Sequence, residues 1–109
     1  MEPELAAKIE RREDVLRRIR KILIERLQVR RESDELDPDT PLFGAGLGLD
    51  SVDSVELVVS IETEFALKLR QEATGRRYMR TLNTLADMVL VLLDDKQRKE
   101  LAGGAHVAQ

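Results

Sequence analysis

The 109-residue chain is the length of one domain with a single modest core, so residues 1–109 are expected to form one unit without a second domain. It has no Cys, one His, no Trp and 3% aromatic residues. This excludes disulfides, thiolate metal sites and thiol nucleophiles, and argues against a His-clustered metal site, a Ser-His-Asp triad or a base-stacking nucleic-acid platform. The net charge of −3 is segregated along the chain: +4 over residues 1–31, −10 over residues 32–66, which hold no Lys or Arg, and +3 over residues 67–109. A block of one sign steers oppositely charged partners, and it is equally what a solvated acidic surface looks like.

Leu5, Ile9, Leu16, Ile19, Leu23 and Leu27 recur at helical spacing, widened by Val15 and Ile22, and predict a first helix from about residue 4 to about residue 29. Arg11, Arg17, Arg18 and Lys21 mix with Glu10, Asp14 and Glu25 on its outer face, the pattern of a solvated helix rather than a nucleic-acid element. Arg12 falls in the apolar stripe, which predicts a buried stem with its head at the edge. From Glu32 to Leu49 two prolines and three glycines break the periodicity, while Leu36, Leu42, Phe43, Leu47 and Leu49 require cover. The stretch is therefore predicted to be a long ordered loop lying across the helices.

Helical spacing resumes at Ser51, with Asp50 as N-cap and Val52, Val55, Val58, Val59, Ile61 and Phe65 forming a wide apolar arc. Asp53, Glu56, Ser60 and Glu64 are expected on the opposite face, and the helix is predicted to end near Ala66. A short segment spans about Gln71 to Met79. Thr81 then caps a last helix with Leu82, Leu85, Ala86, Val89, Leu92 and Leu93 inward, and Lys96, Arg98 and Lys99 are expected at its C-terminus. The prediction is all-α: three long helices and one short, ordered from about residue 4 to about residue 95, with a flexible tail over about residues 102–109. The longest apolar run, Met88–Leu93, is too short to span a membrane. A start without a basic and then apolar stretch leaves the cytoplasm as the expected address.

Three features bear on chemistry. Gly44-Ala-Gly-Leu-Gly48 lacks the preceding strand and the lysine of a phosphate-binding loop, so its glycines read as turn formers. Among Asp34, Asp37, Asp39, Asp50, Asp53 and Glu56, a calcium-loop frame begins at Asp37 and Asp39 but meets Pro41 and Leu42 where ligands are needed. The third is Asp50-Ser-Val-Asp-Ser-Val-Glu-Leu57. Ser51 opens a helix directly after a glycine-rich stretch, either as an accessible hydroxyl where an attached phosphate is favoured or as an ordinary capping residue.

The stretch Leu42-Phe-Gly-Ala-Gly-Leu-Gly-Leu-Asp-Ser-Val-Asp-Ser-Val-Glu-Leu57 resembles the acyl carrier protein family. The Asp37-Pro-Asp-Thr-Pro-Leu-Phe43 lead-in, Ile61-Glu-Thr-Glu-Phe65 and Thr81-Leu-Asn-Thr-Leu85 extend the resemblance over about residues 5–95. It implies a four-helix bundle with a long first loop and no catalytic residues. It also implies a 4'-phosphopantetheine arm on Ser51 carrying acyl groups as thioesters, with Asp50 recognised by the phosphopantetheinyl transferase. Asp53 and Glu56 would present carboxylates to basic patches on acyl-loading and acyl-processing enzymes, in a monomer that neither binds nucleic acid nor inserts in a membrane. The acyl chain would lie near Leu49, Val55, Val59, Ile61, Leu82 and Val89. Departures from the common form are Val52 after the Ser, Ala66 where Gly is frequent, and the basic stretch at Arg76, Arg77 and Arg80. They point to a specialised fatty-acid, lipid or polyketide pathway. An aminoacyl or peptidyl carrier, and an unmodified helical interaction module with Ser51 only a cap, are the alternatives.

Overall fold

In a computed structural model of the chain, residues 2–29, 36–44, 46–69 and 78–104 are described. Three helices and no strand form among them: α1 (Pro3–Glu25), α2 (Ser51–Phe65) and α3 (Leu82–Gly104). The predicted short helix at about residues 71–79 lies almost wholly outside the described residues. α1 packs against both other helices, and α2 and α3 meet each other only weakly.

α1 opens with Pro3 at its first turn, where a missing N–H costs nothing. It stops four residues before the predicted end because Gln28 turns left-handed (φ 56°) and Val29 N donates back to Leu23 O at 2.9 Å. Leu27 keeps its place in the stripe and packs on the core from this turn rather than from a helix. The apolar spacing thus tracks burial past the point where the helix ends. Val15, Leu16, Ile19, Ile22 and Leu23 are the buried face of α1, each contributing about 1.5–3 kcal/mol for the larger side chains.

The arginines of α1 are directed at the bundle's own acceptors. Arg12 is half-buried and donates to Asp87 at 2.7 Å and to Asn83 Oδ1 at 2.9 Å, stem in and head at the edge as its position in the stripe predicts. Arg18 donates to Glu64 at 2.7 Å and stacks 4.3 Å over the Phe65 ring, and Arg11 pairs with Asp94 at 2.6 Å. Arg20 Nε donates to Leu36 O at 3.2 Å and so ties α1 to the loop.

In α2 the expected apolar arc divides. Of its members Ile61 and Phe65 are buried, together with Leu57, which is not in that arc, whereas Val52, Val55 and Val59 are 74%, 64% and 50% exposed. Ser60, expected on the polar face, is buried, its hydroxyl within 3.5 Å of Glu56. Two rows of apolar residues at helical spacing run along this helix, and only packing against α1 selects which one turns inward. Leu57→Ala is expected to cost about 2–5 kcal/mol and Val55→Ala less than about 0.5 kcal/mol in urea unfolding, and equal costs would contradict this register.

α2 ends where expected, with Ala66 in the left-handed conformation (φ 52°, ψ 48°), which glycine adopts at less cost than alanine. Lys96 Nζ donates to Ala66 O at 2.6 Å, fastening α3 over this end. α3 starts with reciprocal bonds between Thr81 and Thr84, Thr84 N to Thr81 Oγ1 at 3.2 Å and Thr81 N to Thr84 Oγ1 at 2.9 Å. It continues to Gly104, past the end expected near Lys96–Lys99 and into the tail expected over about residues 102–109, of which residues 105–109 lie outside the described set. Lys96, Arg98 and Lys99 are therefore not at its terminus. Arg98 and Lys99 each pair with Asp95 at 3.0 Å, and these hydrogen bonds, that of Lys99 first, hold the Asp95 carboxyl below its ordinary value.

The connection from α1 to α2 is ordered over its described part, as predicted. Leu36, Leu42 and Leu49 are in the core. Leu42 N donates to Arg80 O at 2.9 Å and Asn83 N to Pro38 O at 3.0 Å, tying the loop to the start of α3.

Candidate functional site

The loop delivers the chain to α2 through a tight fold-back. Leu47 N donates to Pro41 O at 2.9 Å and Leu49 N to Leu42 O at 3.0 Å, so residues 41–43 are brought beside residues 47–49. Gly46 lies against this carbonyl: a Cβ there would sit 1.8 Å from Pro41 O. Gly48 turns the chain with φ +75°, a conformation that other residues rarely adopt. Asp50 then follows in an extended conformation and α2 begins.

Asp50 and Asp53 form a reciprocal cap. Asp53 N donates to Asp50 Oδ1 at 2.9 Å and Asp50 N to Asp53 Oδ2 at 3.0 Å. Both carboxylates thus have one oxygen spent on the helix end, and the cap is worth about 1 kcal/mol. Ser51, the first residue of α2, is not the cap. Its side chain is exposed and makes no hydrogen bond among the described residues, while its carbonyl accepts from Ser54 Oγ at 2.7 Å.

Ser51 faces an open cleft of about 810 Å³. Phe43, Leu49 and Met79 give it apolar walls, and Asp39, Asp50 and Arg80 bring charge to its rim. Arg80 is the component that the sequence leaves unassigned: it stands out there as a departure from the family's common composition, with nothing to place it opposite Ser51. The expected acyl-contacting residues separate in the structure. Leu49, Ile61, Leu82 and Val89 are buried, and Val55 and Val59 are on the outer face of α2 with Val52 and Glu56. The described acidic residues do not converge with two others into a metal-binding group, and no described helix is long and apolar enough to cross a membrane.

The family model for the phosphopantetheine attachment site matches residues 17–89. The chain belongs to that family. The match runs from the second half of α1 through the loop and α2 into α3, so it includes every element that builds the Ser51 cleft. This carrier domain is accordingly a site of covalent 4'-phosphopantetheine attachment. A carrier needs a hydroxyl reachable by a second enzyme and a surface along which a long arm can lie. The Ser51 hydroxyl is exposed and makes no hydrogen bond among the described residues, and the walls of the cleft beside it are largely apolar.

Proposed function

We propose that Ser51 carries the 4'-phosphopantetheine arm and that the chain is an acyl carrier protein for a specialised fatty-acid, lipid or polyketide pathway. The observation that supports this most is the position of Ser51: exposed at the first turn of α2, free of capping duty, and within the matched stretch. When bound, the arm supplies a thiol that holds acyl groups as thioesters. The remaining work falls to the chain's own residues. Asp50 and Asp53 fix the backbone of the helix end from which the Ser51 side chain projects, and their free oxygens are available to the transferase. Leu49, Ile61, Leu82 and Val89 mark the interior beside the weak α2–α3 contact, where an acyl chain can be kept from water. Val55 and Val59 belong instead to the docking face.

That face combines Val52, Val55 and Val59 with the exposed carboxylate of Glu56 on one side of α2, with Ser51 at its end. It suits partners that pair a basic patch with a small apolar contact, including the transferase and the acyl-loading and acyl-processing enzymes. Exposed ion pairs of about 0–1 kcal/mol each give fast, reversible encounters, as a monomeric carrier visiting several cytoplasmic enzymes needs. Glu56→Lys is expected to slow loading by a phosphopantetheinyl transferase about tenfold at low salt and to flatten its salt dependence. Loading at the wild-type rate would remove Glu56 from the docking face.

The experiment that tests attachment is intact mass before and after incubation with a broad-specificity phosphopantetheinyl transferase, coenzyme A and magnesium. A gain of one phosphopantetheine unit is expected. No gain on the folded, unmodified chain would overturn the proposal.

A further inference from the structure

The rim of the Ser51 cleft across from α2 is formed by the residues that lead into α3. Hydrogen bonds hold this stretch on both sides: Arg80 O accepts from Leu42 N at 2.9 Å, and Arg80 N donates to Thr84 Oγ1 at 3.2 Å. The backbone of Arg80 is therefore fixed at the cleft while its side chain is exposed. Arg80 is the one cation among the described residues lining the cleft, and Asp39 and Asp50 are the anions. Both carboxylates already have partners, Asp39 from Asn83 Nδ2 at 2.6 Å and Asp50 from Asp53 N at 2.9 Å. Among the described residues Arg80 forms no ion pair, in contrast to Arg11, Arg12 and Arg18, which the fold uses to join its helices. Its backbone is anchored at the cleft, and its guanidinium has no ion-pair partner among the described residues.

A phosphodiester on Ser51 places a further negative charge beside Asp39 and Asp50, in a stretch that already carries −10 over residues 32–66. Like charges gathered on one cleft repel, and an opposite charge on the same cleft offsets them. A guanidinium is well suited to do so, because its planar fork of N–H donors matches two phosphate oxygens at once. With the phosphate engaged at the rim, the methyl and methylene groups of the arm can lie along Phe43, Leu49 and Met79. We infer that Arg80 is a positioning residue that pairs with the phosphodiester of the Ser51-linked arm and lays the arm along this cleft. The inference rests on Ser51 being the attachment residue.

The test uses the full chain with an arm ending in a free thiol, so that no cargo contributes an anion. Wild type, Arg80→Gln and Arg80→Lys are loaded, and intact mass records the loading of each. Phosphorus NMR of the phosphodiester and the Arg80 Nε–H resonance, assigned by its disappearance in Arg80→Gln, are then compared. Loading is expected to shift the Arg80 Nε–H signal. Arg80→Gln should move the phosphorus signal toward that of free phosphopantetheine and narrow it, with Arg80→Lys in between because a point charge replaces a fork. Unloaded Arg80→Gln should unfold at the wild-type temperature, which separates positioning of the arm from support of the fold. Full loading by mass with the same phosphorus signal in all three chains and an unmoved Nε–H signal would overturn the Arg80 contact. Failure to load the wild type at Ser51 would sink the attachment reading, and the Arg80 contact with it.

Discussion

Ser51→Ala is expected to abolish loading with phosphopantetheine entirely while leaving the fold as stable as before. The two halves of this expectation have separate physical origins. Loading fails because the hydroxyl that would bear the phosphodiester is gone, and no compensation from neighbouring residues can restore it. Stability persists because Ser51 does no structural work through its side chain: the helix end is closed by Asp50 and Asp53, and the Ser51 hydroxyl makes no hydrogen bond among the described residues. Alanine is also the better helix former at such a position, so the change in unfolding free energy should stay within about 0.5 kcal/mol. Ser54 is the informative control. It lines the same cleft one turn further on, but its hydroxyl is committed to Ser51 O at 2.7 Å. Ser54→Ala should therefore still take up one arm. Intact mass and thermal unfolding on the three chains decide the matter, and a mass gain in Ser51→Ala would move the attachment point elsewhere.

Much of this site is legible in the amino-acid sequence, because its parts are local. A helix N-cap depends on residues three apart, so Asp50 followed by Asp53 announces the start of α2, and the glycines before it announce a turn. Leu36, Leu42 and Leu49 announce that the loop is covered, since apolar side chains of that size are not left in water. The features that stay hidden are set by packing between distant elements. Along α2, the row Leu57, Ile61, Phe65 and the row Val52, Val55, Val59 have equally good helical spacing, and contact with α1 selects the first. The same limit hides Arg80. Its approach to Ser51 depends on Leu42 bonding to Arg80 O and on Asn83 bonding to Pro38 O, contacts that join a loop near residue 40 to a helix start near residue 81. Length of α3 is a third case, since nothing in Lys96, Arg98 and Lys99 shows that the helix continues past them when each finds a partner within one turn or on Ala66.

Gly46→Ala is expected to damage stability and loading together, through the loop rather than through α2. An added Cβ would stand 1.8 Å from Pro41 O and 2.7 Å from Pro41 C, and both are backbone atoms that cannot rotate away. Relief requires the fold-back to open, which breaks the bond from Leu47 N to Pro41 O and loosens the pairing of Pro41 with Thr81. Leu42 and Leu49 are buried on either side of this turn, so opening it disturbs the core as well. Overpacking of this kind costs about 3 kcal/mol. Gly48→Ala is the comparison that isolates the cause. There the penalty is conformational, from φ +75°, with the nearest atom of the surroundings at 3.8 Å, and it should cost about 1 kcal/mol. Urea unfolding should thus rank Gly46→Ala well below Gly48→Ala, and both below wild type. Loading rate should follow the same order if Ser51 is the attachment residue, because the turn between residues 41 and 49 sets where Asp50 and Ser51 sit on the cleft that Arg80 also lines. If Gly46→Ala were as stable as Gly48→Ala, the close approach to Pro41 would not be what holds the loop. If it were destabilised yet loaded at the wild-type rate, the transferase would need only the helix end, and the shape of the cleft would matter to the arm after attachment rather than to the attachment itself.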